Sequence, residues 1–272
     1  MQPVCVLTIA GSDSGGGAGI EADLRTFASL GVHGCVAITA ITAQNTYEVR
    51  AVAALEAEMV RTQVETVSDD LSIRATKTGM LARPATVVEV GALAREGRLG
   101  LLVVDPVLVT SSGHPLMEHG GIEAYRSALL PYATVATPNL LEACALVDLD
   151  PRTIHSVDDM VGVAQGVLDF GPQVVLVKGG HYAGTHAETT PDVIVSSSGV
   201  VILESARVVT SNDHGTGCSL AAAITARLAL GDTVHDAISF AKTYVWRALV
   251  GAAPWQLGKG HGPIDHLGWN SQ

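Results

Sequence analysis

Apolar residues along this chain fall into two alternating patterns. Short runs rich in β-branched residues recur, each closed by a polar or glycine-rich stretch, and between them apolar positions return every three or four residues. Residues 4–10 (VCVLTIA) predict a first strand, GSDSGGGAG a glycine-rich loop, and the following residues a helix from Ile20 to Leu30. The theme repeats in CVAITAI before TAQNT, ATKTGM before a helix opened by Pro84, LLVVD before PVLVTSSG, VATPN before a helix, and VVLVKGG before a polar loop. Helical spacing covers residues 56–70, 84–96, 121–130, 139–148 and 156–170. The segment DVIVSSSGVVILE (192–204) breaks the alternation and predicts an antiparallel edge hairpin. Two further helices, Thr216–Leu230 with Gly231 as C-cap and Val234–Val250, precede a Gly/His-rich tail.

Strand and helix in turn predict an α/β fold: three layers, with a central, mostly parallel sheet between helices. No linker, internal repeat or composition shift marks a boundary, so residues 1–272 are expected to form one domain.

Composition sharpens this picture. The 272 residues are 47% hydrophobic but only 4% aromatic, so the core is built from Ala, Val, Leu and Ile, as suits buried parallel strands under Ala-rich helices. A net charge of −11 offers no electrostatic footprint for a nucleic-acid backbone or an anionic membrane. No uncharged apolar run approaches the ~18 residues of a membrane span, and the N-terminus does not read as a signal peptide. Cys5, Cys35, Cys144 and Cys218 lie far apart, which suits neither a zinc site nor a disulfide framework. A reducing, cytoplasmic setting is expected.

The strongest local signal is DHGTGCSLAAAITARLAL (213–230), a glycine-rich turn feeding an Ala-rich helix. The amides of Gly215, Thr216, Gly217 and Cys218 would then be donors at the positive end of a helix dipole, an anion site. The same placement would lower the pKa of Cys218 and fit it for a role as base. The plainer alternative is a helix cap with a small buried thiol. The first loop brings Gly15, Gly16, Gly17 and Gly19 within reach of a flat ligand, with Asp23 one turn beyond. It lacks the GK[ST] of a P-loop, and Ile20 occupies the third glycine position of a dinucleotide fingerprint.

Polar residues also stand at the C-terminal ends of the predicted strands, where α/β sheets bind ligands: Gln44, Asn45, Lys77, Asp105, Asn139, Glu142 and Lys178. Singly, each has a structural account: Asn139 as a helix cap, Asp105 as the pin of the turn before Pro106, Lys178 as a solvated cation. Asp105 and Glu142 are the candidates for Mg²⁺, which shares one or two carboxylates with phosphates. The ten histidines form no metal-ligand spacing. His214 and His181 are merely adjacent to the site.

AGSDSGGGAGIEADLRTF, TAQNT, TKTGML, DPV, TPNLLEA, VLVKGGH, DHGTGC and GKGHGP occur here in an order that resembles the hydroxymethylpyrimidine/phosphomethylpyrimidine kinases, over essentially the whole chain. The resemblance implies a ribokinase-like domain, commonly dimeric. It implies ATP- and Mg²⁺-dependent phosphorylation of 4-amino-5-hydroxymethyl-2-methylpyrimidine, then of its monophosphate, in thiamine biosynthesis. By motif, Cys218 matches the catalytic residue and Gly215, Thr216 and Gly217 the anion hole. Gln44 and Asp23 match pyrimidine contacts, with Gly11, Ala18, Met80 and Val107 lining the substrate. Asn139 and Glu142 match a segment associated with Mg²⁺ and phosphate, and Asp105 lies near the same metal. Lys178 and Lys242 approach the nucleotide and phosphate, and Asp213 is a reserve base. Glu21, Leu141 and His114 stand where glutamine, proline and aspartate are common; none removes a catalytic group, and His114, the place to look for altered specificity, is read first as a solvent-facing loop residue. A pyridoxal kinase on the same scaffold and a non-catalytic pyrimidine-phosphate sensor are the competing readings.

Overall fold

The computed structural model describes residues 2–108, 116–180 and 188–271. Its first half runs β1 (Cys5–Asp13), α1 (Gly19–Ser29), β2 (His33–Gln44), β3 (Val49–Ala54), α2 (Ala57–Asp70), β4 (Ile73–Thr78), α3 (Pro84–Arg95) and β5 (Leu101–Val104). The second half runs α4 (Gly121–Ala124), β6 (Val135–Ala136), α5 (Leu140–Leu146), α6 (Val157–Leu168), β7 (Val174–Val177), β8 (Thr189–Ser196), β9 (Gly199–Ala206), α7 (Thr216–Leu230) and α8 (Val234–Ala252).

Among the described residues, nine strands form one sheet in the order β3-β2-β1-β4-β5-β6-β7-β8-β9. The six from β2 to β7 are parallel, while β3 closes one edge and the β8–β9 hairpin the other, both antiparallel. The sheet divides its apolar residues by strict alternation. Leu7, Ile9, Leu102, Val104, Val175 and Val177 face a core shared with α2, α3, α5 and α6. Val103, Leu176 and Ile194 point the other way, onto Leu220, Ile224 and Ile238 of α7 and α8, and Val6 meets Phe27 of α1 beside Ala222 and Ala226 of α7. The Ala-rich run thus has a packing reason: small side chains let α7 lie close to the sheet, and ten of its fifteen residues are buried.

The expected single three-layer α/β architecture and its late edge hairpin are therefore present. Three local expectations need correction. β3 was not anticipated, because its residues VRAVAA are mostly exposed and carry no alternating signal. The helix expected over 121–130 is one α-turn followed by a π-turn at Tyr125–Leu129 and a 3₁₀ turn at Leu130–Tyr132, since Pro131 supplies no amide to continue an α-ladder. VATPN is a strand only at Val135–Ala136; Pro138 ends it, and a single bridge from Asn139 to Lys178 extends the line of pairing. His114 and His181 lie outside the described residues.

From β1 the chain crosses to β2 on one side, then returns to β4 on the other. Such a reversal opens a crevice at the C-terminal ends of the strands.

Candidate active site

At the end of β1, a register shift between Ala10 and Ser12 frees the backbone for the glycine loop. Asp13 organises that loop: Oδ1 accepts from the Gly15 amide at 2.8 Å, and Oδ2 from Gly17 at 3.0 Å and Ala18 at 2.9 Å. Burial alone would push this carboxyl up, but His214 and the backbone amides outweigh it and hold the pKa below the usual range. Glu21 supports the same strand end, accepting from Ser12 Oγ at 2.6 Å and the Asp13 amide at 2.8 Å. Gly19, with φ +59°, is where the loop must pass close to β1; a Cβ there would lie 2.3 Å from the Gly11 carbonyl.

The α7 turn meets this loop backbone to backbone. Gly215 has φ +83°, and a Cβ on it would stand 2.0 Å from the Gly17 carbonyl oxygen. The Thr216 amide bonds back to the Asp213 carbonyl at 3.3 Å, which corrects the expectation that it heads the helix as a free donor. The amides of Gly217 and Cys218 keep that role. If the chain has the kinase activity that its resemblance implies, Gly215→Ala should impair phosphoryl transfer to both alcohol and monophosphate by about a hundredfold, because it displaces donors worth about 3 kcal/mol each to a developing charge. Product formation with each acceptor, compared at saturating ATP, checks this.

Charged groups converge from the neighbouring strand ends. Asp105, after β5, accepts from Lys178 Nζ at 2.8 Å and from Thr137 Oγ1 at 3.2 Å. Asn139 and Glu142 form a reciprocal capping box at the start of α5, with bonds of 2.8 and 2.9 Å. Burial, reinforced by Asp105 and opposed by Lys178, pushes the Glu142 carboxyl up to about 7. Asp105 and Glu142 thus offer a cation two acidic oxygen donors beside Lys178, a donor set suited to Mg²⁺ shared with phosphate.

Beneath the site lies a fully buried ion pair. Lys77 Nζ, from β4, sits 3.0 and 2.8 Å from the two oxygens of Asp23, and Thr8 Oγ1 donates to Asp23 at 2.6 Å. Burial would push the Lys77 ammonium pKa down, but Asp23 and the nearby Cys218 and Asp105 outweigh it and hold it protonated. Cys218 stands above this pair with the Gly19 amide directed at it. Its thiol is not lowered as expected from the helix terminus. Desolvation is the largest influence and raises it, Asp23 and Asp105 add to that, and Lys77 and Gly19 only partly compensate.

A cavity of about 340 Å³ joins these parts. Gly11, Ala18, Gln44, Met80 and Val107 line it, as do Asp105, Asn139, Glu142, Lys178 and Gly215 to Cys218. Gly15 to Gly17, Asn45, Lys77 and three further expected residues do not. Asp23, expected at the pyrimidine, has no solvent exposure and is enclosed with Lys77. Lys242, expected near phosphate, bonds to Asp192 at 2.7 Å and to the Thr190 carbonyl at 3.2 Å. Asp213, the reserve base, bonds to His261 Nδ1 at 2.7 Å away from the cavity lining. Conversely, Ser12, Asp13, Thr42 and His214 line the cavity without having been assigned a role from sequence. Asp13 could have been found as the one carboxylate placed to gather a glycine loop's amides; Thr42 carried no distinguishing signal.

The family model for phosphomethylpyrimidine kinase matches residues 13–265. The hydroxymethylpyrimidine/phosphomethylpyrimidine kinase of Mycobacterium tuberculosis is 44% identical over 268 residues, covering 98% of this chain and 95% of the relative. Among solved structures, an ADP complex of Bacillus subtilis pyridoxal kinase superposes with a TM-score of 0.88 at 35% identity, over 100% of both chains. The phosphomethylpyrimidine kinase of Clostridium difficile superposes with a TM-score of 0.79 at 39% identity, over 90% of this chain and 99% of that one.

Proposed function

The chain belongs to the phosphomethylpyrimidine kinase family, and from that premise we propose that it phosphorylates the hydroxymethyl group of an aminopyrimidine, and then the resulting monophosphate, with ATP. The observation that carries this reading is the joining, in one cavity, of an apolar wall (Ala18, Met80, Val107) with the amide-bearing start of α7. A flat ring lies against the first, and its substituent oxygen reaches the second.

Lys178 and the Gly217 and Cys218 amides face the transferring phosphoryl group and stabilise the charge that builds on it. Gln44 and the backbone of the first glycine loop hold the ring. Cys218 accepts the alcohol proton in the first transfer. The monophosphate needs no such help, since its second pKa is about 6. Mg²⁺ would be held by Asp105 and Glu142, and when bound it supplies charge neutralisation on the phosphates. Asp23 and Lys77 act from below, through the field they set at Cys218. Four free cysteines suit a cytoplasmic enzyme, and a homodimer follows family habit.

The test is ADP release with ATP and Mg²⁺, offering hydroxymethylpyrimidine, its monophosphate and pyridoxal separately, with products weighed by mass spectrometry. Diphosphate formed from the monophosphate, abolished by a chelator and restored by Mg²⁺, is the expected result. Turnover of pyridoxal alone would move the function to the second reading, which the TM-score of 0.88 to a pyridoxal kinase favours. Tight binding without turnover would make the protein a sensor.

A further inference from the structure

His214 is held on three sides. Its amide donates to the Gly262 carbonyl at 3.0 Å, and its ring lies so close to Gly17 that a Cβ there would be 2.5 Å from Cδ2. Its Nε2 is 2.9 Å from Asp13 Oδ2 and 3.1 Å from the side-chain amide of Gln44. We propose that His214, oriented by Asp13, locks the Gln44 amide so that it presents one N–H donor to the cavity, and so selects rings that carry a hydrogen-bond acceptor. The inference rests on the kinase reading above.

The argument is one of donors and acceptors. The Asp13 carboxylate takes three backbone N–H groups, and an ionised carboxylate can only accept. The ring nitrogen beside it must therefore carry a proton, whichever charge state the imidazole adopts. Placing the Gln44 nitrogen at 3.1 Å from that same atom sets two donors against each other. The two ends of an amide are nearly identical in shape and are told apart by their partners, so the end facing His214 is the carbonyl oxygen.

The other end then lies 3.4 Å from Thr42 Oγ1. Thr42 has already given its only proton to the Ser12 carbonyl at 2.9 Å, so it can only accept from Gln44. With the amide turned, no two donors oppose each other: Thr42 donates to Ser12, Gln44 donates to Thr42, and the single Nε2–H of His214 is shared between Asp13 Oδ2 and the Gln44 oxygen. One amide hydrogen is left over, on a residue that lines the cavity. It matches a ring nitrogen, and against a C–H at the same place it would go unpaired, which costs about 1–3 kcal/mol or roughly five- to a hundredfold in binding.

The test compares three substrates: the hydroxymethylpyrimidine and two analogues, each with one ring nitrogen replaced by C–H. The wild type should discriminate against one analogue by about tenfold to a hundredfold in kcat/KM. In His214→Phe the parent should weaken more than that analogue, and the ratio should collapse to about threefold or less, because the amide is then free to rotate. His214→Gln, which keeps a neutral N–H donor towards Asp13, should restore much of it. ADP affinity, measured alongside, should hold in both variants and shows that they are folded. The inference is overturned if His214→Phe keeps the full discrimination, or if the wild type turns over all three substrates alike. Absence of turnover with the parent pyrimidine would instead remove the kinase reading, and the inference with it.

Discussion

Lys77→Met is expected to destabilise the fold by about 3–5 kcal/mol, because removing one partner of a buried pair strands the other charge. Lys77 and Asp23 are both fully buried, so water cannot replace the lost ammonium, and the Thr8 hydroxyl at 2.6 Å is the main remaining donor to Asp23. For a chain of this size that corresponds to a melting temperature lower by roughly ten degrees. The double variant Lys77→Met/Asp23→Leu should regain most of it, since an apolar pair of similar volume is often as stable as the ions it replaces. Denaturant unfolding of the three proteins reads this directly, and a loss below about 1 kcal/mol in the single variant would mean that the carboxyl simply takes up a proton. The single variant should also be slow in the first phosphorylation, because Cys218 loses the cation that favours its thiolate, and the double variant less so, because removing Asp23 takes away a charge that opposes the thiolate.

Cys218→Ala should separate the two chemical steps. Alcohol phosphorylation is expected to fall by about a hundredfold or more, the usual range for removing a positioned proton acceptor. Transfer to the monophosphate should fall by less than about tenfold, since that nucleophile is already largely ionised. Equal losses would assign the thiol to anion binding or packing. The pH profile carries an independent sign. If Cys218 takes the alcohol proton as proposed, the active form is the thiolate, and since burial raises the thiol above its ordinary value of 9.0, kcat/KM for the alcohol should keep rising with pH through 8 and 9. The monophosphate step should have levelled off well below that range.

The succession of strands and helices, the mostly parallel sheet and the edge hairpin were legible because β-branched runs and helical spacing alternate so regularly, while the order of strands across the sheet was not. β3 was hidden because an exposed six-residue edge strand needs no apolar face. Of the polar residues at strand ends and helix starts, Gln44, Asp105, Asn139, Glu142 and Lys178 line the cavity, whereas Asn45 and Lys77 do not. Asp23 was misplaced for a reason that one-dimensional reading cannot repair: its partner Lys77 lies fifty-four positions away, and only the pairing of β1 with β4 brings β4 alongside the strand that bears Thr8. The Cys218 thiol was misjudged likewise, since the helix terminus is visible in sequence and the desolvation and carboxylates around it are not. The importance of His214 depends on three contacts with segments from opposite ends of the chain.

The backbone contact of Gly17 with Gly215 has a consequence for protein engineering. A Cβ on Gly215 would come within 2.0 Å of the Gly17 oxygen, so neither loop can be rebuilt while the other keeps its shape. Loop exchange between relatives with different vitamin substrates would then succeed only when both glycine segments are transplanted together. Chimeras carrying a single donor loop should be recovered mainly as insoluble or inactive protein.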